Sequence, residues 1–216
     1  MENVQSFDES LRNEKSEHNM QQNLEQRVKD VEKYSLQVIA TIAHTIDAKD
    51  SYKIGHSERV AKYSVEIARR MGIKGNELSN LYYVALVHDI GKLGIPDAIS
   101  AKPSSLTAEE YEIIKTHTLI GDNILKGITL FPRLREGARF HHERYDGTGY
   151  PDGLKGEEIP MNARIIGMAD AYDAMISNRA YRKELTFKQV KKEIFRCRET
   201  QFDPLVADIM LELLEE

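Results

Sequence analysis

The chain has 216 residues, 41% hydrophobic and 30% charged, enough apolar content for the core of one medium domain plus an extension and too much for a globally disordered chain. Its seven histidines, single cysteine and absence of tryptophan exclude an internal disulfide and a paired-thiolate metal site, and point to a reducing, cytoplasmic setting. The net charge of −5 argues against general nucleic-acid binding but leaves room for a small anionic ligand in a local positive site, while no apolar stretch reaches the length of a membrane span and MENVQSFDES lacks the regions of a signal peptide.

Residues 1–30 carry seven Asp and Glu against four Lys and Arg, so −3 of the −5 lies there. With few apolar residues, this stretch is expected to begin as a mobile acidic tail. From Leu24 a heptad-like seam follows: Leu24, Val28, Val31, Ser35, Val38, Ile42 and Thr45. It suits either a parallel dimer stalk or one amphipathic helix packed on its own domain. The expected division is 1–33, tail leading into a helical stalk, and 34–216, a single domain.

Helical signals then recur. A helix is expected from about Ser57 to Met71, stopping at Gly72, and another from about Glu77 to Asp89, stopping at Gly91. Thr107 and Glu110 form a capping box that opens a helix reaching about Lys126. Residues 162–176 read as a helix with Asn162 as N-cap. Thr186 and Gln189 form a second capping box, and Asp203-Pro204 opens the last helix. Between Glu143 and Pro160 lies a loop rich in Gly and Pro. No stretch alternates with period two, so the fold class is all-α.

Several polar residues fall on faces that should be dry. His88 shares a helical face with Leu81 and Ala85, His117 with Ile113, Ile114 and Ile124, and Asp170 with Ala163, Ile166 and Ala174. An unpaired buried carboxylate costs several kcal/mol, so Asp170 requires a partner or a metal. One histidine on such a face is more often a satisfied core residue than a ligand. The set His56, His88-Asp89, His117, His141-His142 and Asp170 is different, because five of seven histidines join two carboxylates from at least four segments. Imidazole and carboxylate without thiolate suit iron, manganese, nickel or zinc. His44 and His18 read as packing and solvated residues.

His88-Asp89 sits in LVHDIGKLGIPDAI, preceded by DSYKIGHSERVAKYS and followed by KPSSLTAEE, THTLIG, HHERYDGTGYPDGLKGEEIP and ARIIGMADAYDAMISNRAYR. This ordered set resembles the HD-GYP group of the HD phosphohydrolase superfamily, with Gly149-Tyr150-Pro151 as its name tripeptide. The resemblance runs from about residue 34 to the C-terminus. It implies an HD-domain helical bundle with an amino-terminal helical extension, and a bacterial phosphodiesterase that hydrolyses cyclic di-GMP to pGpG, with GMP as a further product.

The resemblance also implies roles. His56, His88, Asp89, His117, His141, His142 and Asp170 match metal positions, with Asp89 bridging two ions. Iron or manganese is favoured, with nickel and zinc open. Lys92 matches a lysine facing the scissile phosphate, and Asp173 an acidic residue supporting it. Arg179 and Arg182 match basic residues near the substrate. Four residues before His56, where some members carry a Glu that builds a third metal site, this chain has Tyr52. A phenol is the poorer ligand, so two metals are expected. Tyr150 is either a stacking surface for guanine or a partner, or part of a rigid turn. The resemblance further suggests contact with a diguanylate cyclase (GGDEF-type) domain. Competing readings are hydrolysis of another cyclic dinucleotide such as cyclic GMP-AMP, and a non-catalytic module that binds a nucleotide or recruits a cyclase.

Overall fold

The computed structural model describes residues 2–49, 55–102, 104–128, 131, 133–178 and 183–215, with side chains throughout except at 2–17, 32 and 49. Its helices are α1 (Glu2–Lys49), α2 (His56–Arg70), α3 (Asn76–Leu86), α4 (Asp97–Ser100), α5 (Ala108–Lys115), α6 (His117–Leu125), α7 (Leu134–Phe140), α8 (Met161–Ile176), α9 (Phe187–Cys197) and α10 (Pro204–Leu213). Short 3-10 turns lie at Ile90–Gly94 and Gly156–Glu158. No strand occurs among the described residues, only an isolated bridge between Arg198 and Phe202. The all-α expectation is met.

Contacts divide the chain into Met1–Val38 and Ile39–Glu216. In the first unit the backbone is helical from Glu2, and Leu24, Val28, Val31 and Val38 stand exposed. In the second unit the last turns of α1 bury Ala43, Ile46 and Asp47. Asp47 accepts hydrogen bonds from the backbone N–H and hydroxyl of Ser57. It thereby serves the open amino terminus of α2, where Gly55 has no capping side chain.

The core follows from helical periodicity. In α2, Val60, Ala61, Ile67 and Ala68 are fully buried, and they pack against α3 and α8. Ile165, Ile166 and Met168 of α8 do the same from the centre of the bundle. Val190 and Ile194 of α9 and Val206 and Ala207 of α10 close the carboxy-terminal side. Both capping boxes are present, and Asp203 accepts from the N–H groups of Leu205 and Val206 with Pro204 at the first helical position.

Three boundaries differ from the sequence reading, and all three bear on the site. The second expected helix ends at Leu86 rather than Asp89, so His88-Asp89 lie in a turn. The third breaks at Thr116. There the Thr116 and Thr118 hydroxyls donate to the carbonyls of Ile113 and Lys115, and His117 Nδ1 donates to that of Ile114. Side chains have taken acceptors a continuous helix would use. In the helix after the Gly-rich loop, Pro160 rather than Asn162 occupies the N-cap. The short helix α7, which carries His141 at its end, gave no capping signal in the sequence.

The 3-10 turn packs tightly on α6, and the closest approach is at Gly91. A Cβ on Gly91 would lie 1.8 Å from the His117 carbonyl oxygen and 2.6 Å from the Gly121 nitrogen. Only a residue without a side chain lets the turn bearing Asp89 approach the start of α6 bearing His117. Gly91→Ala is therefore expected to lower stability by about 3 kcal/mol, the upper part of the range for overpacking. Urea unfolding measures this, and an unchanged midpoint would contradict the close approach.

Candidate metal centre

Just past the ends of α3, α5 and α7, a histidine donates back to a carbonyl of the helix before it. His88 Nδ1 lies 2.7 Å from the Ala85 carbonyl, His117 Nδ1 2.7 Å from that of Ile114, and His141 Nδ1 2.8 Å from that of Gly137. A carbonyl only accepts, so in each ring the proton sits on Nδ1 and Nε2 keeps its lone pair. His56, at the start of α2, is held differently: its Nδ1 is 2.7 Å from Asp173 Oδ2. All four rings are buried, and every Nε2 turns toward Asp89.

Asp89 stands between two groups of nitrogens. Its Oδ2 is 3.5 Å from His88 Nε2 and 3.8 Å from His56 Nε2, and its Oδ1 is 3.5 Å from His117 Nε2 and 3.8 Å from His141 Nε2. Asp170 Oδ1 lies 3.3 Å from His56 Nε2. The residues form one set of His56, His88 and Asp170 and another of His117, His141 and His142, each with ligand atoms within 4.8 Å of one another.

The donor chemistry fits cations. Nε2 of His56 and of His88 is buried without a hydrogen-bond partner, a costly arrangement unless an ion accepts the lone pair. His117 Nε2 and His141 Nε2 face each other at 3.3 Å although both rings carry their proton on Nδ1. Two lone pairs at that distance repel unless a cation lies against both. Imidazole and carboxylate ligands oriented by second hydrogen bonds are the usual construction of such a site.

The supporting residues are specific. Asp173 accepts from His56 and, at 2.6 Å, from Arg59 Nε. Burial works to raise its pKa, but these hydrogen bonds outweigh burial and the net shift is downward, so it stays an anion behind His56. Its partners are His56 and Arg59, where the sequence reading placed it in support of Lys92. Lys92 Nζ instead contacts Asp89 Oδ2 directly. The Tyr150 ring stacks on His142 at 4.9 Å and 28°, so that face supports a candidate ligand. The loop holding Tyr150 is anchored by Glu143, which accepts from the N–H groups of Asp152, Gly153 and Leu154. Gly149 packs so closely that a Cβ would lie 2.3 Å from the Arg144 nitrogen.

All seven expected ligands thus converge. Arg179, Arg182 and Tyr52 lie outside the described residues. The sequence reading missed Arg59, Glu143 and Asp47. Arg59 was detectable as a basic residue one helical turn after His56; Glu143 and Asp47 act through tertiary contacts that no local spacing marks. Beside His141, His142 and Asp170 opens a cavity of about 760 Å³, continued by Tyr150, Arg144 and the inner face of α8.

Burial pushes the pKa of His88 down to about 4, that of His117 to about 3 and that of His141 to about 4. These rings are neutral at pH 7 and ready to ligate. In the metal-free protein the unfolded chain binds protons near pH 6.5 that the folded chain refuses. Stability is then whole above pH 6.5 and falls as pH drops toward 4, each ring adding a slope of up to about 1.4 kcal/mol per pH unit. Urea titrations of chelator-treated protein at pH 7, 6, 5 and 4.5 are expected to show this decline, and a flat profile would contradict it.

The chain matches known proteins along most of its length. The sequence profile described as HD domain matches residues 40–206. A cyclic di-GMP phosphodiesterase of Thermotoga maritima is 39% identical over 188 residues, covering 86% of this chain and 51% of that protein. The 3'3'-cGAMP-specific phosphodiesterase 3 of Vibrio cholerae is 38% identical over 167 residues, covering 77% and 36%. The chain spans about half, or less, of the length of these curated relatives. In fold, it resembles the solved structure of Bd1817, a HDG"Y"P protein from Bdellovibrio bacteriovorus, with a TM-score of 0.62 at 21% identity over 74% of this chain and 52% of that one. With its profile match enclosing the convergent histidines, the chain belongs to the HD domain family and carries the motif set of the HD-GYP group.

Proposed function

We propose that the protein is a metal-dependent phosphodiesterase that hydrolyses cyclic di-GMP to pGpG, with GMP as a further product. The observation that carries this reading is Asp89, whose two oxygens face separate histidine sets. His56, His88 and Asp170 would hold one divalent ion and His117, His141 and His142 the other, with Asp89 shared. Iron or manganese is favoured, and nickel or zinc fits the same donors. Bound there, two divalent ions supply Lewis-acid chemistry, making water acidic enough to attack and neutralising phosphate charge.

The chain's own groups do the rest. Nδ1–H bonds to carbonyls and to Asp173 hold the rings in the ligating tautomer and fix where a phosphate can sit. Lys92, 19% exposed beside Asp89, offers a cation to the phosphoryl group or the departing oxygen once Asp89 engages metal. Asp173 acts as a positioning residue through His56. Tyr150 both steadies His142 and lines the cavity, where it meets substrate with its remaining surface. Arg179 and Arg182 are assigned to the substrate on the motif alone.

A second reading, hydrolysis of a cyclic GMP-AMP, is favoured by the similarity to a 3'3'-cGAMP-specific relative. Without metal-supported turnover, the same pocket would serve as a binding or cyclase-recruiting module, and the Gly149–Pro151 loop is the proposed contact for a GGDEF-type domain. No helix among the described residues is long and apolar enough to cross a membrane, and the single buried Cys197 suits a cytoplasmic setting.

Elemental analysis of anaerobically purified protein is expected to find two metal equivalents. Chelation, or Asp89→Asn, is expected to reduce cyclic di-GMP turnover by at least about 100-fold. Metal-loaded protein that leaves cyclic di-GMP intact would refute the reading.

The exposed seam Leu24, Val28, Val31 and Val38 supports pairing of two copies through the amino-terminal helix. Light scattering is expected to show a dimer that becomes a monomer on removal of residues 1–30. A protein that is monomeric both before and after the removal would reject the stalk.

A further inference from the structure

Helix α9 is basic on a chain that is acidic. Within Phe187–Cys197, Lys188, Lys191, Lys192 and Arg196 stand against Glu193 alone, while the whole chain carries −5. Val190, Ile194 and Cys197 face the core. The helical period then sets two neighbouring rows on the outer side, each spaced i, i+4, i+8. One row is Phe187, Lys191 and Phe195; the other is Lys188, Lys192 and Arg196.

Both phenylalanines stand in water, Phe187 54% exposed and Phe195 70%. They are about 12 Å apart along the axis, and between them Lys191 holds its Nζ 5.2 Å from the centre of the Phe187 ring. Lys191 also meets Glu215, and Arg196 meets Glu193. Lys188 and Lys192 are exposed and have no ion pair or hydrogen bond among the described residues. A single exposed phenylalanine needs no explanation, but two in one row beside a row of cations form a surface. Its composition selects the partner. Protein interfaces are depleted in lysine and enriched in arginine, and here lysines outnumber arginine three to one. A lipid interface instead takes phenylalanine into its acyl boundary, while flexible lysine stems carry their charge to the headgroups. Glu193, which lines the cavity, and Phe195 are two residues apart and project from nearly opposite sides of the helix. A bilayer on the outer face therefore meets the side of α9 that turns away from the cavity.

We propose that the outer face of α9 seats the protein on an anionic membrane surface. Phe187 and Phe195 enter the headgroup boundary, and Lys188, Lys191, Lys192 and Arg196 lie over the lipid phosphates. The contact is peripheral and spans nothing, since no helix among the described residues is long and apolar enough to cross a membrane. It uses no residue of the metal centre, so it stands whether or not the phosphodiesterase reading holds.

The test is co-sedimentation of the full chain with vesicles of phosphatidylcholine alone and of equal parts phosphatidylcholine and phosphatidylglycerol. Binding is expected to the second, and at least about 10-fold weaker to the first. Raising sodium chloride from about 0.1 to about 0.5 M is expected to weaken it at least about fivefold. Lys188→Glu combined with Lys192→Glu is expected to weaken it at least about 10-fold, and Phe195→Ser at least about threefold. Lys74→Glu combined with Lys126→Glu makes the same charge change at exposed positions outside α9, and is expected to stay within about twofold of the wild type. The α9 variants are expected to keep the wild-type urea midpoint; should Phe195→Ser lower it, the exposed lysine pair decides. Equal binding to both vesicles, binding to neither, binding that survives the α9 variants, or a control pair as damaging as the lysine pair would each overturn the proposal. Retention on a polyglutamate resin without vesicle binding would overturn it in favour of an acidic protein partner.

Discussion

The site depends on one repeated hydrogen bond. At His88, His117 and His141 an imidazole Nδ1–H donates to a carbonyl three or four residues earlier. The bond does three things together. It consumes an acceptor at the end of a helix, it fixes the tautomer, and it turns Nε2 away from the helix toward a common point. Helix termination and ligand orientation are thus the same event, which is why α3, α5 and α7 stop where candidate ligands begin.

Convergence then requires that the helix ends meet. The 3-10 turn after Asp89 presses on α6 through Gly91, and the loop after His142 folds back through Gly149 while Glu143 gathers three of its N–H groups. The result places five imidazoles and two carboxylates in a largely dry pocket. Burial keeps His88, His117, His141 and His142 neutral, while Lys92 stands beside Asp89 and Arg59 beside Asp173 behind His56. Cations would complete the balance that these side chains begin.

Charge illustrates how far composition can mislead. The chain carries −5, of which −3 lies in the first thirty residues. Around the site, the cavity wall sets Lys115, Arg144 and Arg164 against Glu143, Asp170, Glu193 and Asp203, and Lys92 contacts Asp89. The net charge of the chain therefore says little about the local field, which depends on the few charges within a Debye length.

Much was legible in the residues themselves. Capping boxes at Thr107 and Thr186 and the Asp203-Pro204 start carry their own geometry, because their hydrogen bonds span three residues or fewer. The metal set was legible because burying histidine and aspartate on apolar faces is costly enough to need a reason. The break at Thr116 and the stop at Leu86 rest on hydrogen bonds only three residues long, made by side chains that helical periodicity does not weigh. Tertiary structure alone decided the turn of Asp173 to His56 and Arg59 and the stacking of Tyr150 on His142, because there the partner lies outside the local turn that carries the residue. The sequence by itself determined which chemical groups are available and which helices carry them; only the packing decided which atoms of those groups face one another.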